Sequence, residues 1–131
     1  MNECLFCQIV ENKIPLRTVY EDDLIKVIMN INPNTDGHLL IIPKKHYETL
    51  FDVDKTIIDH SIDIIRKTLY PKLVEDLKAQ GLTIAQNNYC GQEIKHFHLH
   101  LVPRYQDDGV DLSSQETLAE LDEVANKLGI N

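Results

Sequence analysis

A chain of 131 residues, 43% hydrophobic and 26% charged, has the size of one domain and apolar content enough for a core, so a single domain over 1–131 is expected. Its formal net charge of −8 argues against nucleic acid or an anionic membrane as partner, because both need a basic footprint. A small phosphorylated ligand stays open, since local donors read it rather than global charge. No apolar run approaches membrane-spanning length, and Met1 to Leu5 lack the basic region and apolar stretch of a secretory leader. Three cysteines, two of them in a Cys4-x-x-Cys7 pair, fit a reducing compartment, and the expected location is cytoplasmic.

Leu5 to Val10 reads as a short helical turn before Asn12-Lys13-Ile14-Pro15. Strands are predicted over Thr18 to Tyr20 and Leu24 to Ile31, around the acidic turn Glu21-Asp22-Asp23. The turn formers from Asn32 to Gly37 lead into an apolar strand over His38 to Ile42, ended by Pro43. From Asp54 to about Gln80, Ile58, Ile62, Ile65, Leu69, Leu73 and Leu77 recur at helical spacing. Pro71 interrupts that run without breaking its register, which predicts one kinked helix stopped by Gly81. His60 falls on its polar face and is expected to be solvated. Leu82 to Gln86 is a strand, and Asn87 to Gly91 a tight turn into a last strand from His96 to Val102, preceded by Ile94 and stopped by Pro103.

An acidic, exposed connection is expected over Gln106 to Leu112. A Ser113/Glu116 capping box then opens a closing helix with Leu118, Leu121, Ala125 and Leu128 as its buried stripe. The sum is an α+β domain: about five mostly antiparallel strands, one long Pro-kinked helix and one short C-terminal helix. Hairpin-like links and a single long helix argue against a doubly wound parallel sheet.

Chemistry concentrates in His96-Phe97-His98-Leu99-His100, which holds three of the six histidines. On a strand, residues two apart share a face, so the three imidazoles line one side and Phe97, Leu99 and Leu101 the other. Such a row supports two chemistries: three ligands of a catalytic metal, or a nucleophilic imidazole held by its neighbours. A nucleophilic imidazole needs one nitrogen free and the other pinned by an acceptor. Cys4 and Cys7 form half of a possible zinc site, which His46 and one histidine of the row could complete. Lys44 and Lys45 read as a solvated pair at a strand end.

These features together resemble the histidine triad (HIT) family, in particular its bacterial branch close to purine-nucleotide-binding phosphoramidate hydrolases. The resemblance runs through Cys4-Leu5-Phe6-Cys7, Ile14-Pro15, Tyr20-Glu21-Asp22, Ile31-Asn32-Pro33, Gly37-His38 and Ile42 to His46. It ends in Gly91-Gln92 and the alternating histidine run closed by Pro103-Arg104.

The resemblance implies a HIT-like fold, a homodimer and a purine nucleotide or nucleotide conjugate as substrate. It makes His98 the nucleophile on the α-phosphate, His100 the phosphate contact that helps protonate the leaving group, and His38 the fourth histidine supporting proton transfer. Gln92 takes the phosphate-side glutamine's place, Asn87 the asparagine ahead of the phosphate loop, and Asn30 with Ile31 the nucleoside contacts. It also implies a structural zinc on Cys4, Cys7, His46 and His96. Two departures stand out: Asn30 replaces a common aspartate, and the turn from Asn88 to Gly91 is short. The rival readings are a dinucleoside polyphosphate hydrolase, a nucleotide-binding or regulatory partner protein, and a metal-dependent hydrolase with zinc on His98 and His100.

Overall fold

The computed structural model describes residues 4–111 and 120–129. Its five strands are β1 (Thr18–Glu21), β2 (Ile25–Met29), β3 (Leu39–Pro43), β4 (Gly81–Ala85) and β5 (Leu99–Arg104). They form one sheet in the order β1-β2-β3-β5-β4, and every neighbouring pair is antiparallel. Before it comes α1 (Leu5–Val10). Between β3 and β4 run α2 (Lys55–Ile64), a π-helical turn (Ile65–Leu69) and α3 (Tyr70–Leu77), and α4 (Leu121–Lys127) closes the described chain. The architecture is the expected α+β one.

Period-two alternation sorts side chains onto two unlike faces. Ile25, Val27, Leu39, Ile41, Leu99 and Leu101 pack with Ile57, Ile65, Leu69 and Leu73 of the long helical segment. Ile28, Leu40 and Ile42 point the other way, against Phe6 and Ile9 of α1. That second face is covered by a helix of only six residues, which leaves room beside it.

Pro71 explains the helix's central irregularity. Proline lacks an N–H and its ring presses on the carbonyl four residues back; the chain responds with the wide turn Ile65–Leu69 directly before Tyr70 and Pro71. A π turn inserts an extra residue into the helical phase. Upstream of it the buried positions are therefore Ile57 and Ser61, one residue earlier than the expected Ile58 and Ile62; downstream Leu69 and Leu73 hold. The helix also ends before Gly81: Lys78 takes the left-handed cap (φ 61°), and Gly81 starts β4.

Three other expectations change. His60 is not merely solvated, because its Nε2 lies 2.6 Å from Asp22 Oδ2, tying α2 to the β1–β2 turn. The 106–111 connection is braced: Asp108 takes Arg104 Nε at 2.7 Å and the backbone N–H groups of Tyr105 and Val110. Leu121 and Leu128 of α4 are exposed rather than buried. Leu118, Ser113 and Glu116 lie outside the described residues.

Gly37 is the one glycine whose lack of a side chain positions the site. Its φ is +88°, and a Cβ there would come 2.6 Å from Leu77 Cδ1. It lets the chain turn tightly under α3 and deliver His38 to the start of β3.

Candidate active site and metal cluster

Strand pairing begins only at Leu99, so His96 and His98 stand on an irregular approach to β5 rather than on the strand itself. The alternation survives because Phe97 (1% exposed) sinks into the same core as Leu99 and Leu101. His98 and His100 are thereby presented to the thinly covered face. On that face His100 lies opposite Leu40 and Ala85, and Leu40 opposite Ile28.

Hydrogen bonds assign each ring its tautomer. His98 Nδ1 lies 2.8 Å from the His96 carbonyl, which can only accept, so Nδ1 carries the proton and Nε2 keeps its lone pair. Asn34 N–H donates to His38 Nδ1 at 3.0 Å, which puts the His38 proton on Nε2. His38 Nε2–H then donates to His100 Nδ1 at 3.0 Å. His100 is left as a neutral ring with its own proton on Nε2. Asn30 Oδ1 accepts from Asn32 N–H at 3.0 Å, turning its amide nitrogen toward His38 Nε2 at 3.3 Å. Both groups there are donors, so that contact adds no bond.

Burial keeps these rings neutral. It pushes His100 down to about 4, aided by the neighbouring His98 and His38. His38 and His98 also fall below the ordinary imidazole value through burial; for His98 the His96 carbonyl and the charge of Glu93 act in the opposite sense. Phe6 closes over His98 in a T-shaped contact, with centroids 4.8 Å apart and planes at 83°.

His38, His98 and His100 open onto a cleft of about 610 Å³. Leu5, Phe6, Ile9, Leu16 and Ile28 give it an apolar wall; Asn30, Ile31, Asn87, Gly91 and Glu93 also line it. Gln92 is buried and its amide is already engaged: Nε2 donates to the Glu48 carbonyl at 2.6 Å, and Oε1 accepts from Tyr89 N–H at 3.2 Å. Its contacts brace the 89–92 turn, in which Tyr89 holds a left-handed φ of 60°.

Two residues away the fourth imidazole is turned the other way. His96 Nε2–H donates to the Pro43 carbonyl at 2.9 Å, so its Nδ1 lone pair faces Cys4 Sγ and Cys7 Sγ, each at 3.4 Å, and His46 Nδ1 at 3.1 Å. Cys7 Sγ and His46 Nδ1 are 3.2 Å apart, and all four ligand atoms fall within 4.8 Å of one another. Bonds of about 2.3 Å to sulfur and about 2.05 Å to nitrogen around tetrahedral zinc set ligand atoms about 3.3–3.8 Å apart, close to this spacing. One lone pair facing three such groups can accept one proton, whereas a cation satisfies all four donors. The two thiolates and two imidazoles therefore fit a zinc-type ion, with the Pro43 carbonyl orienting His96 from outside.

Four contributors escaped the sequence reading. Phe6 caps His98, Asn34 supplies a backbone donor, and Glu93 lines the cleft. Lys26 is buried (3% exposed), and its Nζ donates to Ile9 O at 3.1 Å and Asn12 Oδ1 at 2.6 Å, fastening the C-terminal end of α1 to the sheet. A lysine between core residues Ile25 and Val27 was the available signal for the last.

Comparison with known proteins agrees with this geometry. The HIT domain family profile matches residues 11–107. An uncharacterized HIT-like protein of Methanocaldococcus jannaschii is 36% identical over 128 residues, covering 95% of this chain and 98% of its own. An adenylylsulfatase of Arabidopsis thaliana is 33% identical, covering 82% of this chain and 55% of its own. An adenosine 5′-monophosphoramidase of Saccharomyces cerevisiae is 31% identical, covering 77% and 62% respectively. Among solved structures, a zinc-bound histidine triad family protein of Mycobacterium smegmatis superposes with a TM-score of 0.78 at 32% identity, over 87% of this chain and 84% of its own. The chain belongs to the HIT domain family.

Proposed function

We propose that this protein hydrolyses nucleoside 5′-phosphoramidates or related nucleoside 5′-phosphate derivatives through a nucleotidyl-histidine intermediate. One observation carries the reading: His98 Nδ1 is pinned by the His96 carbonyl, which leaves the Nε2 lone pair of a neutral imidazole at the cleft. The relatives named for phosphoramidate and adenylylsulfate substrates support it.

In the first step His98 Nε2 attacks the α-phosphorus. The N–P bond forms as the bond to the leaving group breaks, and the departing nitrogen keeps the electron pair and takes a proton. His100 points its Nε2–H at that nitrogen, and as it gives this proton up, its Nδ1 takes the His38 Nε2–H while solvent reprotonates His38, so that no ring is left anionic. In the second step water attacks the same phosphorus, gives a proton back to His100, and the N–P bond breaks to release the nucleoside monophosphate and the neutral His98. Asn30, Ile31 and Asn87 hold the nucleotide beside the apolar wall, and Gln92 acts by shaping the turn that carries Gly91. Zinc bound by Cys4, Cys7, His46 and His96 would supply a rigid cross-link between α1 and the approach to β5. The homodimer and the preference for a purine base belong to the same proposal.

The test is release of AMP from adenosine 5′-phosphoramidate. Turnover, with a nucleotidyl adduct on the acid-quenched protein by mass spectrometry, is the expected result. Absence of turnover on this and on dinucleoside polyphosphates, with nucleotide binding intact, would favour the binding-protein reading.

A further inference from the structure

The cleft wall has an electrostatic asymmetry that the nucleotidyl chemistry does not use. Among the described residues lining the cleft, Glu93 is the one formally charged side chain, and no lysine or arginine is among them. None of the ion pairs among the described residues engages it. His38 and His100 each accept a hydrogen bond on Nδ1, so these rings bring no positive charge to the cleft. Arg17 lines an adjoining hollow that shares Leu16, Met29, Asn30 and Ile31 with the cleft, at the nucleoside end.

The lining also divides by chemistry. An uncharged nucleoside suits the apolar wall of Leu5, Phe6, Ile9, Leu16 and Ile28. Glu93 lines the cleft on the segment leading into His96, and its charge reaches His98. With the α-phosphorus at His98 Nε2 and the nucleoside on the apolar side with Asn30, Ile31 and Asn87, the moiety left to face Glu93 is the departing group.

We propose that Glu93 selects the leaving group by charge: it favours a cationic or neutral departing amine and disfavours one carrying further negative charge, such as a second phosphate or a sulfate. This rests on the hydrolase reading above and narrows its substrate class to phosphoramidates of neutral or basic amines. The physical reason is simple repulsion in a cleft that holds no cation to screen it. The α-phosphoryl charge is common to all these substrates and cancels in any comparison between them.

The experiment uses three adenosine 5′-phosphoramidates that differ in the charge of the amine part: ethylenediamine (cationic), propylamine (neutral) and glycine (anionic). The readout is the ratio of kcat/KM for the cationic to the anionic conjugate, in the wild type and in Glu93→Gln. The wild type is expected to rank cationic over neutral over anionic, and Glu93→Gln to shrink the ratio by about tenfold. An unchanged ratio in the variant overturns the proposal. If the wild type turns over none of the three, the hydrolase reading fails, and binding decides the charge question separately. In that case Glu93→Gln should improve the affinity for ADP relative to AMP several-fold; an unchanged relative affinity overturns it. If Glu93→Gln does not fold, ionic strength replaces it: raising salt should narrow the wild-type ratio through screening. A ratio indifferent to salt counts against the proposal as firmly.

Discussion

His96 and His98 are two residues apart and both buried, yet the structure prepares them for opposite tasks. In His96 the Nε2 proton is held by the Pro43 carbonyl and the Nδ1 lone pair meets two thiols and His46. In His98 the Nδ1 proton is held by the His96 carbonyl and the Nε2 lone pair meets the cleft. Residue type and burial are the same; the difference lies in which nitrogen a backbone carbonyl captures. A lone pair surrounded by other fixed donors serves a cation, whereas a lone pair facing open volume serves an electrophile.

Replacing the two residues in parallel breaks this comparison most sharply. His98→Ala should fold and bind nucleotide yet lose at least about 10³-fold in kcat, because no other lone pair is aimed at the same place. Near-normal turnover in that variant would remove the nucleophile assignment. His96→Ala should act chiefly on the fold, since it takes the shared member out of a four-donor cluster that links α1 to β5.

Metal removal sharpens the same contrast with a smaller effect. A competing chelator, or Cys7→Ser, should lower the thermal midpoint by about 5 °C or more through loss of a ligand that binds only the folded state. Protein that remains folded should retain most of its kcat. A kcat that falls in step with metal content while the midpoint holds would instead support zinc on His98 and His100.

The pH dependence follows from the direction of the shifts. The unfolded chain's imidazoles take up protons near pH 6.5, while in the fold burial keeps His38 and His98 below that value and His100 at about 4. The unfolded state therefore binds more protons in acid, so stability contributed by these rings is complete above about pH 6.5 and declines as pH falls toward 4. The kcat/KM profile should be flat from pH 8 through 6.5 and fall only at lower pH, where the rings of the folded protein begin to take up protons. A decline on raising the pH through 6.5 would mean that one of these rings works as an imidazolium.

Much of this was legible in the residues. The alternation Phe97, Leu99, Leu101 against His98 and His100 tells which face each ring takes even though pairing starts only at Leu99, because burial of Phe97 enforces it. Cys4, Cys7 and His46 were readable as a donor set open to one histidine of the row, the family resemblance pointed to His96, and the structure brings the four together. The π turn was not readable, since a proline inside a regular stripe predicts a defect without saying that the phase of Ile57 and Ser61 will slip by one. Partners supplied by the backbone were hidden for a similar reason. The Asn34 N–H, the His96 carbonyl and the Pro43 carbonyl carry no residue identity, yet they decide the tautomers of three rings.

The smallest predicted effect lies at Asn30, which lines the cleft beside His38. Its carbonyl oxygen is occupied by the Asn32 N–H, and its amide nitrogen faces another donor on His38. The side chain thus offers a ribose hydroxyl only the second lone pair of an uncharged oxygen already engaged. An aspartate would keep the Asn32 bond with one oxygen and present the second, charged, to hydroxyl donors, adding one charge-assisted bond. Asn30→Asp should therefore tighten AMP binding by about three- to tenfold, less a penalty for placing the carboxylate near the phosphate. The same carboxylate would accept from His38 Nε2–H and compete with His100 for that proton, so affinity should rise while kcat falls slightly. Calorimetric binding of AMP together with kcat on the phosphoramidate separates the two. Unchanged affinity would show that the rim is read by shape and apolar contact, with Ile31 rather than Asn30 carrying recognition.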